Sequence, residues 1–224
     1  MKIAVINGSP KSSGFTHEVL DIAANHIRGK DVRVDYVKLG ERNILDCIGC
    51  FNCLKTGYCV LDDDLRSIID VMLESDGFVV GSPVRNGLIT ACYKRFIERI
   101  TYILGFTLAL EDKYTMGVAS VGFAGGRSVS KRFCCLQGVF HTRLSSFIFA
   151  HVGIPAKKNP GKMESLLLQG ADKLIHDISS QRARSLMGRM SFSIDKAVMR
   201  RFVFEKNPEV YQNVIRNWQS KGYE

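Results

Sequence analysis

Two short runs, KIAVIN at residues 2–7 and GFVVG at residues 77–81, are apolar almost throughout, and each passes straight into a turn rich in glycine, serine or proline. Unbroken apolar runs of this length fit strands covered on both faces, as in a parallel sheet flanked by helices, because half-exposed strands alternate instead. The residues after the first run agree. Gly8 to Thr16 reads GSPKSSGFT, after which Val19, Leu20, Ala23 and Ile27 recur at helical spacing until Gly29, a stop signal. Similar units repeat along the chain. Val32, Val34 and Tyr36 alternate with Arg33 and Asp35 and mark a strand nearer a sheet edge, while residues 114–121, YTMGVASV, and a stretch around Phe147 to Ala150 supply two more. Helices are expected over Leu65 to Leu73, capped by Asp62 or Asp63, from Leu88 to about Leu104, and from about Arg127 to Phe140. In the second of these, Tyr93, Phe96, Ile97 and Ile100 form the buried face, and Lys94, Arg95, Glu98 and Arg99 the wetter one. A further helix is expected from near Met163 to Met190, where Leu167, Ala171, Leu174 and Ile178 keep the period. Five such units predict an α/β fold, a doubly wound five-stranded parallel sheet.

With 224 residues, 46% of them hydrophobic, the chain can bury one such domain over residues 1–190 and still carry a helical extension over 191–224. In the extension Ser193 is placed to cap one short helix. Asn207 and Pro208 form a cap and first-position pair for another helix, which carries Val210, Tyr211, Val214, Ile215 and Trp218. Those side chains need cover from the main domain or from a second subunit. The start of the chain lacks the pattern of a signal peptide and no apolar run is long enough to cross a bilayer, so a cytoplasmic protein without membrane attachment is expected. The formal charge of +9 does not point to nucleic acid, because the basic residues are dispersed and match no binding motif. Such a field is either a solvated surface or a means of steering an acidic partner, such as a small electron carrier.

Where the apolar strands end, three turns share one end of the sheet. In the common doubly wound order 2-1-3-4-5, ligands sit beyond the carboxyl ends of the strands, between the first and third. The first turn offers Ser9, Lys11, Ser12, Ser13 and Thr16 ahead of a helix whose first N–H groups are unpaired, a setting for an anion. It matches neither G-x-x-x-x-G-K-[ST] nor G-x-G-x-x-G, which favours a single terminal phosphate. The second turn, SPVRNG at residues 82–87, should face it, with Pro83 stiffening the backbone and Gly87 allowing close approach to a flat ring. The third is GFAGG, residues 122–126.

Four of the seven cysteines lie between Cys47 and Cys59, spaced C-x2-C-x2-C-x5-C. Two-residue gaps let three thiolates meet one small object, as in the runs that hold iron-sulfur cubanes, and Gly49 and Gly57 suit the turns required. Structural zinc more commonly uses two separated cysteine pairs. A disulfide, or four unligated thiols in a loop, would also account for the residues. An odd cysteine count without a secretory signal fits a reducing compartment, and Cys92, Cys134 and Cys135 fall in helical patterns as core residues.

GSPKSSGFT resembles the GSPR-x-x-G-x-T phosphate loop of NADPH-dependent FMN reductases. GSPVRNGLITACYKRFIER is similar to their GSPVY-x-G-x-x-x-x-x-x-K-x-F-x-DR segment, with Arg85 in place of tyrosine and Glu98 in place of aspartate. With the cysteine motif between these segments, the whole resembles the iron-sulfur flavoproteins, a branch of the flavodoxin-like superfamily, from Met1 to roughly Met190. The resemblance implies FMN held by Ser9, Lys11, Ser12, Ser13, Gly14, Phe15 and Thr16, by Pro83, Val84, Arg85, Asn86 and Gly87, and by Gly122, Gly125 and Gly126. It implies a 4Fe-4S cluster on Cys47, Cys50, Cys53 and Cys59, and a homo-oligomer, a homodimer or homotetramer. Electrons would pass between a donor such as ferredoxin or NAD(P)H and an acceptor such as a quinone, oxygen or peroxide. An NAD(P)H-dependent FMN or quinone reductase without a cluster is the alternative. No side chain is required as an acid or base, because the cofactors carry the chemistry.

Overall fold

The computed structural model describes residues 1–122, 125–151 and 160–223. Its elements in chain order are β1 (Lys2–Asn7), α1 (Phe15–Arg28), β2 (Arg33–Lys38), α2 (Asn52–Thr56), α3 (Leu65–Glu74), β3 (Gly77–Pro83), α4 (Ala91–Ile100), β4 (Tyr114–Val121), α5 (Arg127–Cys134), β5 (Arg143–His151), α6 (Pro160–Ser179), α7 (Leu186–Met199) and α8 (Gln212–Ser220). The strands form one parallel sheet in the order β2-β1-β3-β4-β5, the doubly wound order that the apolar runs anticipate. Val5 pairs with Tyr36 on one side and Val79 on the other, so β1 lies inside the sheet and β2 at its edge, where Arg33 and Asp35 reach water.

Successive side chains of a strand point to opposite faces, and β1 divides its apolar residues accordingly. Ile3 and Val5 join Val79, Met116 and Val118 under Leu20, Ala23 and Ile27 of α1 and Leu167, Ala171 and Leu174 of α6. Ala4 and Ile6 join Phe78 and Val80 under Ile68 and Met72 of α3 and Tyr93, Phe96 and Ile100 of α4. Both layers are buried, which is why β1, β3 and β4 read as continuous apolar runs. No helix among the described residues is long and apolar enough to cross a membrane.

Several boundaries differ from the sequence pattern. The left-handed step after α1 falls on Asp31 at φ 58°, while Gly29 keeps φ −63°. Helix α4 starts at Ala91, not Leu88, because Thr90 caps it by accepting from the Tyr93 N–H at 3.3 Å and Leu88 closes a hairpin with Arg85. It ends at Ile100 and passes into a wider turn over Thr101–Gly105. Helix α5 is shorter than expected and β5 longer. The expected helix to Met190 is two helices: the carbonyl of Arg182 accepts from the Tyr114 hydroxyl at 3.0 Å, pinning residues 180–185 to the sheet end as a polar break. Ser185 caps α7 through the Gly188 N–H, so Ser193 is interior to that helix and is not a cap. Asn207 and Pro208 begin a turn, and α8 starts at Gln212. The loop preceding Pro160, GIPAKKN, lies outside the described residues.

The apolar residues Val214 and Trp218 of the last helix find their cover within the same chain. Val214 and Trp218 of α8 and Phe192 of α7 form a third core with Phe204, Leu54 of α2 and Leu108. The Trp218 indole N–H donates to the Phe106 carbonyl at 2.8 Å, and Lys221 and Tyr223 close on Glu111 at 3.2 and 2.6 Å. Trp218 is 4% exposed, so Trp218→Ala is expected to cost about 3–5 kcal/mol, the range for deleting a buried aromatic side chain. Denaturant unfolding at two protein concentrations checks this: an intramolecular core loses the same free energy at both, whereas a loss that depends on concentration would place the cover on a second subunit.

Candidate functional site

The three turns at the carboxyl ends of β1, β3 and β4 are tied to one another through the backbone. Gly8 donates to the Gly81 carbonyl at 2.7 Å, and its own carbonyl accepts from the Thr90 hydroxyl at 2.5 Å. A Cβ on Gly8 would lie 2.8 Å from the Tyr93 ring and 3.0 Å from the Gly81 carbonyl, so only glycine lets this turn sit on α4 and β3. The Asn7 side chain accepts from the Ser9 N–H at 2.9 Å, and the Ser9 hydroxyl accepts from the Lys11 N–H at 3.2 Å. From behind, the turn over Leu39–Glu41 backs the loop so closely that a Cβ on Gly40 would meet the Ser9 carbonyl at 2.7 Å. Sequence patterning gives no hint of that support, because it depends on packing between loops.

Beyond Ser9 the loop opens to solvent. Lys11, Ser12, Ser13 and Gly14 are exposed, and Gly14 precedes α1 at φ 119° with no side-chain cap, leaving the first helical N–H groups available to an anion. Phe15 is half-buried. Thr16 differs from the other hydroxyls. It is buried, and its oxygen lies 2.7 Å from that of Ser120 at the end of β4, so it fastens α1 across the sheet.

Val84 donates to the Ser120 carbonyl at 2.6 Å, and Arg85 and Leu88 exchange backbone bonds at 2.8 and 2.9 Å around Asn86 and Gly87. These two residues have φ of 49° and 77°, the left-handed pair of a tight hairpin turn. Arg85 and Asn86 are exposed, with Pro83, Val84 and Gly87 half-buried. Gly126, at φ 71°, sits against this hairpin: a Cβ there would meet the Gly87 carbonyl and a Val84 methyl at 2.7 Å. Gly122 and Gly125 face open space. Phe123 and Ala124 of the same turn lie outside the described residues. The structure thus brings the loops carrying all the sequence-predicted flavin residues to one end of the sheet.

The cysteine loop lies against the same helix, α4, further along. Cys47 and Cys50 are exposed and Cys53 and Cys59 half-buried. Gly49 and Gly57 take φ of 66° and 85°, as the turns require, and so does Phe51 at 56°. Burial, followed by the proximity of Cys59, Cys50 and Cys47, pushes the Cys53 thiol up to about 11, so Cys53 lies within electrostatic reach of the other three. Among the described residues no three His, Cys, Asp or Glu side chains converge on a single-ion position.

What holds the loop is a charge that the helical pattern assigned to the wet face of α4. Arg99 and Asp63 pair at 2.6 Å with their side chains 1% and 0% exposed. Arg99 also donates to the Leu45 carbonyl at 2.7 Å and to the Cys59 sulfur at 3.2 Å, joining both flanks of the loop. Asp63 accepts from the Leu45 and Leu65 N–H groups at 2.9 and 3.0 Å. Burial raises the Asp63 carboxyl, yet Arg99 and these two N–H groups outweigh it and hold the group below the usual carboxylate range. The N-cap position of α3 is Asp64, not the expected Asp62 or Asp63, and Asp64 makes no side-chain cap bond; Asp63 instead receives the Leu65 N–H while it pairs with Arg99. Periodicity alone misplaced Arg99 because a fully partnered buried cation and a solvated one have the same sequence signature; the usable signal was its place at the end of the K-x-F-x-DR-like segment. Arg95 adds an exposed pair to Asp46 at 2.6 Å.

The remaining cysteines divide. Cys134 and Cys135 are core residues, as expected, with burial raising both thiols. Cys92 is not fully buried. Its sulfur lies 3.4 Å from the Gly8 carbonyl, on the side of α4 that meets the turn after β1.

A profile of the NADPH-dependent FMN reductase family matches residues 1–140. A Clostridioides difficile protein named iron-sulfur flavoprotein is 30% identical, with 99% of each chain covered. A Methanocaldococcus jannaschii protein of the same name is 34% identical over 48% of this chain and 56% of its own length. In fold, the chain is similar to an NADH:FMN oxidoreductase at 19% identity and a TM-score of 0.56, covering 77% of this chain and 87% of that one. The chain belongs to the NADPH-dependent FMN reductase family, in the flavodoxin-like branch whose members are named iron-sulfur flavoproteins, and is a flavin-dependent oxidoreductase.

Proposed function

We propose that this oxidoreductase holds FMN in the three-loop crevice and a 4Fe-4S cluster on Cys47, Cys50, Cys53 and Cys59, and passes electrons between a reduced donor and an acceptor. The observation that carries the reading is the shared helix. Thr90 and Cys92 at the start of α4 contact the Gly8 carbonyl, and Arg99 near its end contacts Cys59. At 1.5 Å per residue these contacts are about 12 Å apart along the axis, so one rigid element spaces the two centres.

The residues fit both groups. Uncapped N–H groups, Lys11, Ser12 and Ser13 supply donors for one terminal phosphate, and the hairpin at Gly87 with Gly125 and Gly126 gives backbone that a flat ring can approach. Four cysteines at C-x2-C-x2-C-x5-C spacing, with Cys59, Cys50 and Cys47 each close enough to Cys53 to act on its thiol, suit a multi-iron centre held by thiolates. When bound, FMN exchanges electrons in pairs or singly and the cluster singly, which matches a two-electron donor such as NAD(P)H or a one-electron donor such as ferredoxin to quinone, oxygen or peroxide. The chain's own residues supply position, through Gly8, Thr16 and Arg99, and field, through the +9 charge that attracts an acidic carrier. Helix α7 exposes Leu186, Met190, Ile194 and Val198 at four-residue intervals, an apolar row that supports assembly of a homodimer or homotetramer. The proposed setting is the cytoplasm, with no nucleic-acid or membrane partner.

Denatured protein is expected to release FMN, identified by chromatography; release of FAD would overturn the phosphate-loop reading. Ser12→Ala should weaken FMN binding by about 1.5–3 kcal/mol, the scale of a hydrogen bond to a charged group, measured by fluorescence titration of the apoprotein. Cys53→Ala should abolish the iron and sulfide of anaerobically reconstituted protein while FMN stays bound at unchanged stoichiometry, and Cys134→Ala should keep both. If the unaltered protein itself takes up no stoichiometric iron and sulfide, the function is that of a cluster-free NAD(P)H-dependent FMN or quinone reductase.

A further inference from the structure

Arg99 directs one guanidinium nitrogen at both the Asp63 carboxylate, at 3.2 Å, and the Cys59 sulfur, at 3.2 Å, and the other at Asp63 and the Leu45 carbonyl. Side chains of 1% and 0% exposure keep water from screening the pair. Among the bonds described, no other cysteine of the loop receives one from a charged side chain. Hydrogen bonds to ligand sulfurs are one of the means by which a protein sets the potential of an iron-sulfur centre.

Building on the cluster reading above, we propose that Arg99 tunes the electron affinity of the cysteine centre through its bond to Cys59, with Asp63 as the counter-charge that limits the effect. The physical reasoning concerns which state each charge favours. Reduction adds one electron, and thus one negative charge, next to a guanidinium that is protonated in both states, so no proton moves. An N–H donor on the sulfur stabilises the more negative state and raises the potential; the carboxylate opposite lowers it. The two side chains therefore act in opposite senses on the centre although they act together on the loop's structure.

That opposition supplies the test. Arg99→Lys keeps a cation for Asp63 but loses the planar fork that reaches both Asp63 and Cys59. Asp63→Asn keeps the fork and removes the counter-charge. In reconstituted proteins titrated with dithionite and followed by electron paramagnetic resonance, Arg99→Lys is expected to lower the ratio of reduced to oxidised cluster at the wild-type midpoint by about tenfold, a shift of about 59 mV for one electron. Asp63→Asn is expected to raise it. Loosening of the loop alone would move iron content and thermal stability of both variants in one direction and give no opposed shift in potential. Potentials that move the same way, or stay unchanged while iron content is preserved, overturn the proposal. Absence of a cluster in the unaltered protein overturns the function reading itself, and iron and sulfide analysis before titration tells the two failures apart.

Discussion

The buried pair of Arg99 and Asp63 is the interaction on which the unusual part of this molecule depends. Leu45 lies before the cysteine run and Cys59 and Asp63 at or after its end, and a single guanidinium reaches all three. Burying two charges is costly, and a pair of this kind seldom adds much net stability. Removing either partner, however, strands the other and costs about 3–5 kcal/mol. The pair thus serves specificity more than stability: it gives the cysteine loop one position on α4. Around it, α3 and α4 are fixed by the apolar layer above β1 and β3, so the clamp rests on the sheet itself.

The sheet imposes the second constraint. Parallel strands need crossovers, and crossovers leave the turns at the carboxyl ends free to differ. Here the differences are small residues in demanding places. Gly8 and Gly126 admit backbone contacts that any Cβ would block, and the buried hydroxyls of Thr16 and Ser120 connect α1 to β4 beneath the open part of the crevice. Rigid joints under exposed donors are the condition for a preorganised anion site.

The sequence exposed the sheet clearly because doubly covered strands carry apolar residues on both faces; β4 was legible residue by residue from Tyr114 to Val121. The loops were legible through glycine, serine and cysteine spacing. Legibility failed where a residue's role depends on a distant partner. Arg99 looked solvated because its four bonds come from other segments, and Gly40 carried no pattern although it backs the Ser9 loop. Cys92 was placed in the core by its helical pattern, while its sulfur faces the Gly8 carbonyl, 84 residues away in the chain. The polar break between α6 and α7 was hidden for the same reason, since the Tyr114 hydroxyl and the Arg182 carbonyl that make it are 68 residues apart.

The third core bears on the order in which the molecule can be completed. The short helix α2 sets Leu54 against Trp218, whose indole in turn bonds Phe106, a residue 112 positions earlier in the chain. Gly57, within the cysteine run, packs against Asn213 of α8 so tightly that a Cβ would meet its side chain at 2.9 Å. Contacts of such long sequence separation form late, and synthesis proceeds from the amino end. While the chain is being made, the sheet can assemble through β1, β3 and β4 with the cysteine loop still lacking its outer wall. Helix α8 follows every strand of the sheet in the chain and is the element that supplies this wall, so one side of the cysteine loop is built after the sheet, while Cys47 and Cys50 stay exposed in the folded structure.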